Sequence, residues 1–210
     1  MIILSHRGCW HDLADRNRPG AFHRSFDLGF GTETDIRDRL GELVISHDMA
    51  DAQAMSLASM LDILGPRDLP LAFNIKADGL ARTLQSQMRA RGLTRWFTFD
   101  MSVPEAVVQI GLGLPVFTRA SEYERRPALY DQAVGVWVDG FISEWFSPGD
   151  ISAFLQDGKL VAVVSPELHR RDHLDLWRRL RESPVKDNPA LMLCTDLPQD
   201  AYAYFSEHAA

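Results

Sequence analysis

Short apolar runs of strand length alternate along the chain with longer segments of helical character. Most of the runs are apolar throughout, which is typical of parallel strands covered on both faces. There are eight, at residues 2–5, 31–35, 71–75, 96–99, 115–118, 136–139, 160–165 and 191–195. A further extended segment, residues 43–46, follows the second run and the turn sequence DRLGE, which indicates a hairpin-like excursion.

Segments with helical periodicity separate these runs, for example at residues 19–28, 77–91, 104–110, 172–182 and 199–208. Within residues 172–182, Leu174, Trp177 and Leu180 form one apolar stripe. Alternation of strands and helices predicts an α/β fold with a parallel sheet, and eight units are the number that closes a (β/α)8 TIM barrel. A doubly wound open sheet is the alternative, because periodicity does not separate the two.

Composition limits the classes of function. The 210 residues, 46% of them hydrophobic, favour a single barrel domain over residues 1–210. The net charge of −7 disfavours a nucleic-acid-binding face, so an anionic ligand needs a local metal ion or a few basic side chains. We expect a cytoplasmic protein with two reduced thiols, because no run reaches the ~18–20 apolar residues of a membrane span and no signal peptide is recognisable. Nothing in the sequence indicates an oligomeric state.

Polar side chains gather where the predicted strands end. In a parallel barrel these ends share one face, which carries the catalytic groups. Glu33 and Asp35 are two residues apart on one strand, so both side chains leave the same face and a hard divalent cation would relieve their repulsion. A solvent-facing acidic pair on an edge strand is the alternative. His6 and His47 each follow an apolar run, and histidine titrates near neutrality, as acid–base catalysis requires.

The order of these residues resembles that of the glycerophosphodiester phosphodiesterase family. The segment ILSHRG is similar to the family's first strand with its HRG motif, and ETDIRDRLGELVISHD is similar to its E-x-D and H-D pattern. FNIK resembles the family's N-I-E-I-K strand when aligned on Lys76, and CTDLP resembles its closing T-D-x-P turn. The resemblance is most specific in the first fifty residues. It implies a barrel that hydrolyses phosphodiesters with a divalent cation.

The same resemblance implies roles for single residues. His6 and His47 would be the general acid–base pair. Arg7 and Lys76 would contact the phosphate of a small-molecule substrate. The cation, Mg²⁺ or Ca²⁺, would be bound by three residues: Glu33, Asp35 and Asn74.

Two departures from the family pattern remove negative charge near the expected cation. Asn74 stands where the family has a glutamate, and Arg16 replaces the glutamate that precedes Asn17. We therefore expect the cation to be weakly bound.

Three other residues lie close to predicted strand ends. Glu167 and His169 follow the seventh run, where they could contact substrate; the first turn of a helix capped by Ser165 is the alternative. Gly8 would allow the backbone to approach a ligand closely.

Together, these observations predict a metal-assisted phosphodiesterase that acts on a small alcohol-linked or sugar-linked phosphodiester. Two alternatives use the same residues. One is a non-catalytic or weakly active barrel that binds a phosphorylated ligand, and the other is a lyase that forms a cyclic phosphate.

Overall fold

The computed structural model describes residues 1–206, and it contains every predicted strand. Each parallel strand coincides with its predicted run to within two residues, except that the second continues to Arg39. The strands are β1 (Ile2–His6), β2 (Gly31–Arg39), β3 (Glu42–Ile45), β4 (Met55–Ser56), β5 (Leu71–Ile75), β6 (Trp96–Phe99), β7 (Phe117–Ala120), β8 (Gly135–Val138), β9 (Leu160–Val164) and β10 (Leu191–Thr195).

The parallel strand pairings run in a cycle. β1 pairs with β2 and β10; β2 continues to β5 and β6, and β10 continues to β9, β8 and β7. The junction between β6 and β7 is a parallel bridge from Thr98 to Val116, beside a 2.9 Å hydrogen bond from the Thr98 N–H to the Pro115 carbonyl. The pairings thus return to the strand from which they start, which is the order expected of a (β/α)8 barrel.

The predicted excursion after β2 is an antiparallel hairpin. β3 pairs with the end of β2, and β4 pairs with β3. The two-residue turn has φ of 51° at Leu40 and 86° at Gly41, and positive φ at both positions suits the right-handed twist of a tight hairpin. The hairpin delivers His47 to the same end of the sheet as the carboxyl ends of the parallel strands.

Seven α-helices lie in the described part of the chain. Five of them confirm the predicted helical segments, although His208, at the predicted end of the last one, lies outside the described residues. α2 and α5 lie in intervals between predicted strands for which no helical segment was named. The helices are α1 (Pro19–Asp27), α2 (Leu57–Leu64), α3 (Ala81–Ala90), α4 (Val103–Gly111), α5 (Pro148–Gln156), α6 (Leu174–Arg181) and α7 (Pro198–Ser206).

The core is divided by the two faces of the strands. Along β1, Ile3 packs with residues of α6 and α7, whereas the next residue, Leu4, packs in a second cluster to which the other strands contribute. This alternation follows from the two-residue period of a strand. The second cluster is aromatic at its centre, where Phe97 stacks on Phe117 at 3.7 Å and Phe99 stacks on Trp137 at 3.8 Å between ring centroids.

Two further expectations concern the whole chain. Within residues 1–206 no helix is long and apolar enough to cross a membrane. Cys9 and Cys194 are free and buried, and burial raises the pKa of both thiols. Neither thiol therefore carries a charge near neutral pH.

Candidate active site

The carboxyl ends of the parallel strands surround a cavity of about 240 Å³. Phe99 and Trp137, from the aromatic cluster, are among the residues that line it. Seven of the nine site residues expected from the sequence also line this cavity: His6, Arg7, Glu33, His47, Asn74, Lys76 and His169. Of the other two, Asp35 is fully buried against its neighbours, and Glu167 is held elsewhere.

A tight turn after β1 presents Arg7 to the cavity. Arg7 and Gly8 have φ of 60° and 86°, and the Arg7 N–H donates to the Glu33 carbonyl at 2.9 Å. A Cβ atom on Gly8 would lie 2.8 Å from the carbonyl carbon of Ala21. Helix α1 is therefore a close neighbour of this glycine, and its approach to a ligand stays a prediction.

His6 is held by a residue from the other end of the chain. Its Nδ1 lies 2.6 Å from Oδ1 of Asp196, whose Oδ2 accepts from Arg16 at 2.8 Å. A carboxylate can only accept, so Nδ1 carries the proton and Nε2 is left towards Glu33, 3.8 Å away. Burial lowers the pKa of His6, against the opposing effect of Asp196. His6 is thus a neutral, oriented imidazole.

His47 lies on the loop after β3 and is much less enclosed. Its side chain is 49% exposed, and its Nδ1 lies 2.9 Å from Oδ1 of the neighbouring Asp48. Arg37 donates to the His47 carbonyl at 3.3 Å, which ties the loop to β2. Both expected catalytic histidines line one cavity, one on a rigid strand and the other on its open side.

Asp35 is fully buried, and cationic side chains already surround it. Its Oδ2 lies 2.9 Å from Nε of Arg7 and accepts from Asn17 at 2.8 Å, while its Oδ1 lies 3.3 Å from Nζ of Lys76. The neutralising charge that the sequence led us to assign to a metal ion is therefore supplied in part by the protein. Arg7 and Lys76 nevertheless line the cavity, where both can meet an anionic ligand.

The neighbouring side chains neutralise the charge of Glu33 less well than that of Asp35. It is 2% exposed, and its Oε2 has no hydrogen-bond partner. Burial, followed by the Asp35 charge, raises the pKa of Glu33 well above its usual range. A buried carboxylate in this state favours either a proton or a nearby cation.

The buried oxygens beside Glu33 fit a hard divalent cation. Glu33 Oε2, Asp35 Oδ1 and Asn74 Oδ1 are all buried without a hydrogen-bond partner, and Asp35 and Asn74 are paired across β2 and β5. Such cations take carboxylate and amide oxygens. Among residues 1–206, no group of three or more His, Cys, Asp or Glu side chains is placed to hold a metal, so a site here needs the Asn74 amide.

The opposite wall of the cavity carries a second histidine–carboxylate pair. Nε2 of His169 lies 2.7 Å from Oδ1 of Asp139, and the ring of Phe141 meets the His169 ring edge-on at 5.3 Å. Glu167, in contrast, is outside the cavity lining, because it accepts from Ser165, from Thr195 and from the Asp196 N–H at 3.1 Å. It braces the segment that carries Asp196.

Sequence reasoning missed three carboxylates of the site, Asp100, Asp139 and Asp196. Each follows or ends an apolar strand, so the rule that found Glu33 also applied to them. Asp100 and Asp139 line the cavity, and Asp196 orients His6. The sequence carried no signal for their partners, because the contacts join residues 19 to 190 positions apart.

Comparison with known proteins identifies the fold. No protein-family model matches the sequence, and no curated protein matches it significantly. Among solved structures, glycerophosphodiester phosphodiesterase from Agrobacterium tumefaciens str. C58 is 17% identical with a TM-score of 0.76, covering 99% of this chain and 100% of that one. An Oleispira antarctica phosphodiesterase in complex with the product sn-glycerol-3-phosphate is 13% identical with a TM-score of 0.66, covering 99% and 97%. The chain has the fold of these phosphodiesterase structures.

Proposed function

We propose that this chain is a metal-assisted phosphodiesterase that acts on a small alcohol-linked or sugar-linked phosphodiester, similar to a glycerophosphodiester. The observation that carries the proposal is one cavity lined by three histidines, two basic side chains and the buried carboxylate of Glu33, whose Oε2 has no hydrogen-bond partner. The glycerophosphodiester phosphodiesterase named among the matching structures supports the substrate class.

In this proposal two of the histidines divide the proton transfers. His6, neutral and fixed by Asp196, takes the proton from the attacking oxygen through Nε2. His47, on the open side of the cavity, gives a proton to the leaving alkoxide. A group that is buried and oriented suits the base, and a group near solvent is readily reprotonated after each turnover.

Basic side chains contact the phosphate, and the buried oxygens would hold the cation that balances its charge. Arg7 and Lys76 contact its oxygens, which requires each to share its charge with Asp35. Glu33, Asp35 and Asn74 would hold Mg²⁺ or Ca²⁺, which supplies positive charge against the phosphate when it is bound. His169, fixed by Asp139, contacts the ester group on the opposite wall.

A non-catalytic barrel that binds a phosphorylated ligand is the second candidate. It is favoured by the compensation of Asp35 by Arg7 and Lys76, which places two cationic side chains in the pocket without any metal ion. The position of His6 beside a buried carboxylate favours catalysis, because a binding pocket needs no oriented base.

Product analysis separates these candidates. The purified protein is incubated with glycerophosphodiesters that carry different alcohols and with a sugar-linked phosphodiester, in Mg²⁺, Ca²⁺, Mn²⁺ or EDTA. Phosphorus NMR then distinguishes a monoester from a cyclic phosphate. We expect cation-dependent release of a monoester. A cyclic end product would identify a lyase, and binding of a phosphate monoester without any turnover would support the non-catalytic barrel.

A further inference from the structure

In the side-chain amide of Asn74 the nitrogen has a hydrogen-bond partner and the oxygen has none. Its Nδ2 donates to Oδ2 of Asp100 at 3.2 Å. Its Oδ1 is buried and has no hydrogen-bond partner. The residue as a whole is 9% exposed, so water does not supply the missing contact freely. An acceptor is thus kept ready on the side of the amide that faces away from Asp100.

Chemistry fixes this orientation. The oxygen and nitrogen of an asparagine amide occupy equivalent positions, so a half-turn of the side chain would exchange them. An ionised carboxylate only accepts, so Asp100 must face the Asn74 nitrogen. The Asn74 oxygen is therefore left on the side away from Asp100, and in the strand register Asn74 pairs with Asp35, two residues from Glu33.

Asp100 is itself held firmly. Its Oδ1 accepts from Nη1 of Arg119 at 3.1 Å, so each carboxylate oxygen has one donor. Its φ of 64° is in the left-handed region, which a residue with a side chain adopts at a cost. Burial also raises the pKa of this carboxyl, against the effects of Arg119 and Lys76. A strained, partly buried carboxylate with both oxygens engaged is suited to positioning another group.

We propose that Asp100 is a positioning residue that turns the Asn74 amide so that its oxygen faces the cation. This role rests on the cation site of the proposed function. It explains how the chain can dispense with a carboxylate at position 74: an amide is a usable ligand only if its oxygen is presented.

The variant Asp100→Asn tests the role. Arg119 only donates, so it takes the oxygen of the new amide and leaves the NH₂ group facing Asn74. Asn74 must then turn its own oxygen towards position 100 and away from the cation. We expect Mg²⁺ and Ca²⁺ affinity, measured by isothermal titration calorimetry, to fall by about 10–100-fold, as for other residues that orient metal ligands.

The exchanged pair, Asn74→Asp with Asp100→Asn, should reverse that loss. The amide at position 100 would donate to one oxygen of the carboxylate at position 74, and the other oxygen would face the cation. We expect affinity at least equal to that of the wild type. Asp139→Asn is the matched control, since it removes one charge from the opposite wall without touching Asn74, and it should weaken binding less than Asp100→Asn.

Equal losses in Asp100→Asn and in the exchanged pair would overturn the role, because Asp100 would then act only through charge or folding. Unchanged affinity in Asp100→Asn would overturn it as well. If Asp100→Asn does not fold, Asp100→Ala replaces it: a loss is again expected, and unchanged affinity overturns the role. Absence of cation binding by the wild type would overturn the cation site of the proposed function, and this role with it.

Discussion

In this site the role of a residue depends on which of its atoms faces its neighbour. Asp196 fixes the tautomer of His6, and Asp100 fixes the end of the Asn74 amide that faces Glu33. Each carboxylate has a guanidinium behind it, Arg16 in one case and Arg119 in the other. An acceptor that is held from behind by a cation stays in place, so it selects one orientation of its neighbour.

Removal of either histidine of the proposed acid–base pair should have a large effect on turnover. His6→Ala and His47→Ala are each expected to lower kcat by about 10²–10⁴-fold, the usual contribution of a general acid or base. Steady-state kinetics on the best substrate of the panel provides the measurement. His23→Ala, at an exposed histidine of α1, is the control and should leave kcat unchanged. Wild-type turnover in either test variant would remove that histidine from the mechanism.

Tyr130 makes the free energy of unfolding depend on pH in the alkaline range. Burial and the 2.7 Å hydrogen bond to Asp157 raise the pKa of Tyr130 from 10.0 to about 12. Above pH 10 the unfolded chain therefore releases this proton while the folded chain keeps it, so the stabilisation present below pH 10 is lost as the pH rises to about 12.

The comparison with Tyr130→Phe isolates this effect. The wild type should have the higher free energy of unfolding at pH 9, and the difference between the two should shrink between pH 10 and 12. Urea denaturation at several pH values measures it. Asp157→Asn should reduce the dependence in the same way. A difference that stays constant over that range would contradict the prediction.

At this scale the sequence predicts types of residue better than their partners. Position at a strand end was enough to select His6, Glu33 and Asn74. It could not indicate that Lys76 and Arg7 both reach Asp35, because side-chain direction past a strand end depends on the turn. The role of Glu167 was out of reach for the same reason.

At the scale of elements, the turns decide what each strand presents. Positive φ at Arg7 and Gly8 bends the chain sharply after β1, and helix α1 then packs directly against Gly8. The hairpin of β2 and β3 moves His47 to the open side of the cavity. These turns need residues that tolerate the left-handed region, and glycine does so without steric cost.

A pair of glycine substitutions tests the contact with α1. Gly8 and Gly41 both have φ of 86°, but a Cβ atom on Gly8 would lie 2.8 Å from Ala21, whereas one on Gly41 meets nothing within 4 Å. Gly41→Ala should cost about 1–2 kcal/mol from the left-handed conformation alone. Gly8→Ala should cost roughly 1–3 kcal/mol more, from the clash.

Urea denaturation of both variants measures the two costs, and the difference between them is the part that belongs to the helix contact. Equal destabilisation would mean that α1 shifts freely to accommodate a methyl group. In that case Gly8 would serve only the turn, and the activity of Gly8→Ala should follow its stability.

Strands were predictable because buried parallel strands are apolar throughout, whereas α2 and α5 were not among the helical segments named from the sequence. α2 is only eight residues long, with Ser59 and Asp62 exposed on one face, and Ser56 caps it by accepting from the Ser59 N–H. α5 carries a visible start signal, since Ser147, Pro148 and Asp150 form a capping box with proline in the first turn. In segments this short, capping residues indicate the start of a helix better than hydrophobic periodicity does.

At the scale of the whole molecule, the net charge of −7 coexists with two cationic side chains in the cavity. Arg7 and Lys76 line the cavity together with the carboxylates of Glu33, Asp100 and Asp139. The two cationic side chains can contact a small anionic group, whereas the negative net charge disfavours binding of a long polyanion. The overall composition alone indicated only that binding of a long polyanion is disfavoured.

Added cation should stabilise the folded state. Binding to the native protein alone raises the melting temperature, by roughly 3–6 °C when free Mg²⁺ or Ca²⁺ is about ten times its Kd. Differential scanning calorimetry measures the shift. Glu33→Gln should abolish it, and Glu42→Gln, at an exposed residue of β3, should retain it. An equal shift in both variants would place the cation elsewhere.

The contact between His6 and Asp196 joins positions that are 190 residues apart. Its partners arrive on β1 and just after β10, the two strands whose pairing closes the cycle. During synthesis, His6 therefore cannot contact Asp196 until nearly the entire chain has been made, and its tautomer is not fixed before then. Turnover measured on ribosome-bound chains of increasing length should stay absent until β10 and Asp196 have left the exit tunnel, so catalysis itself would report the final step of folding.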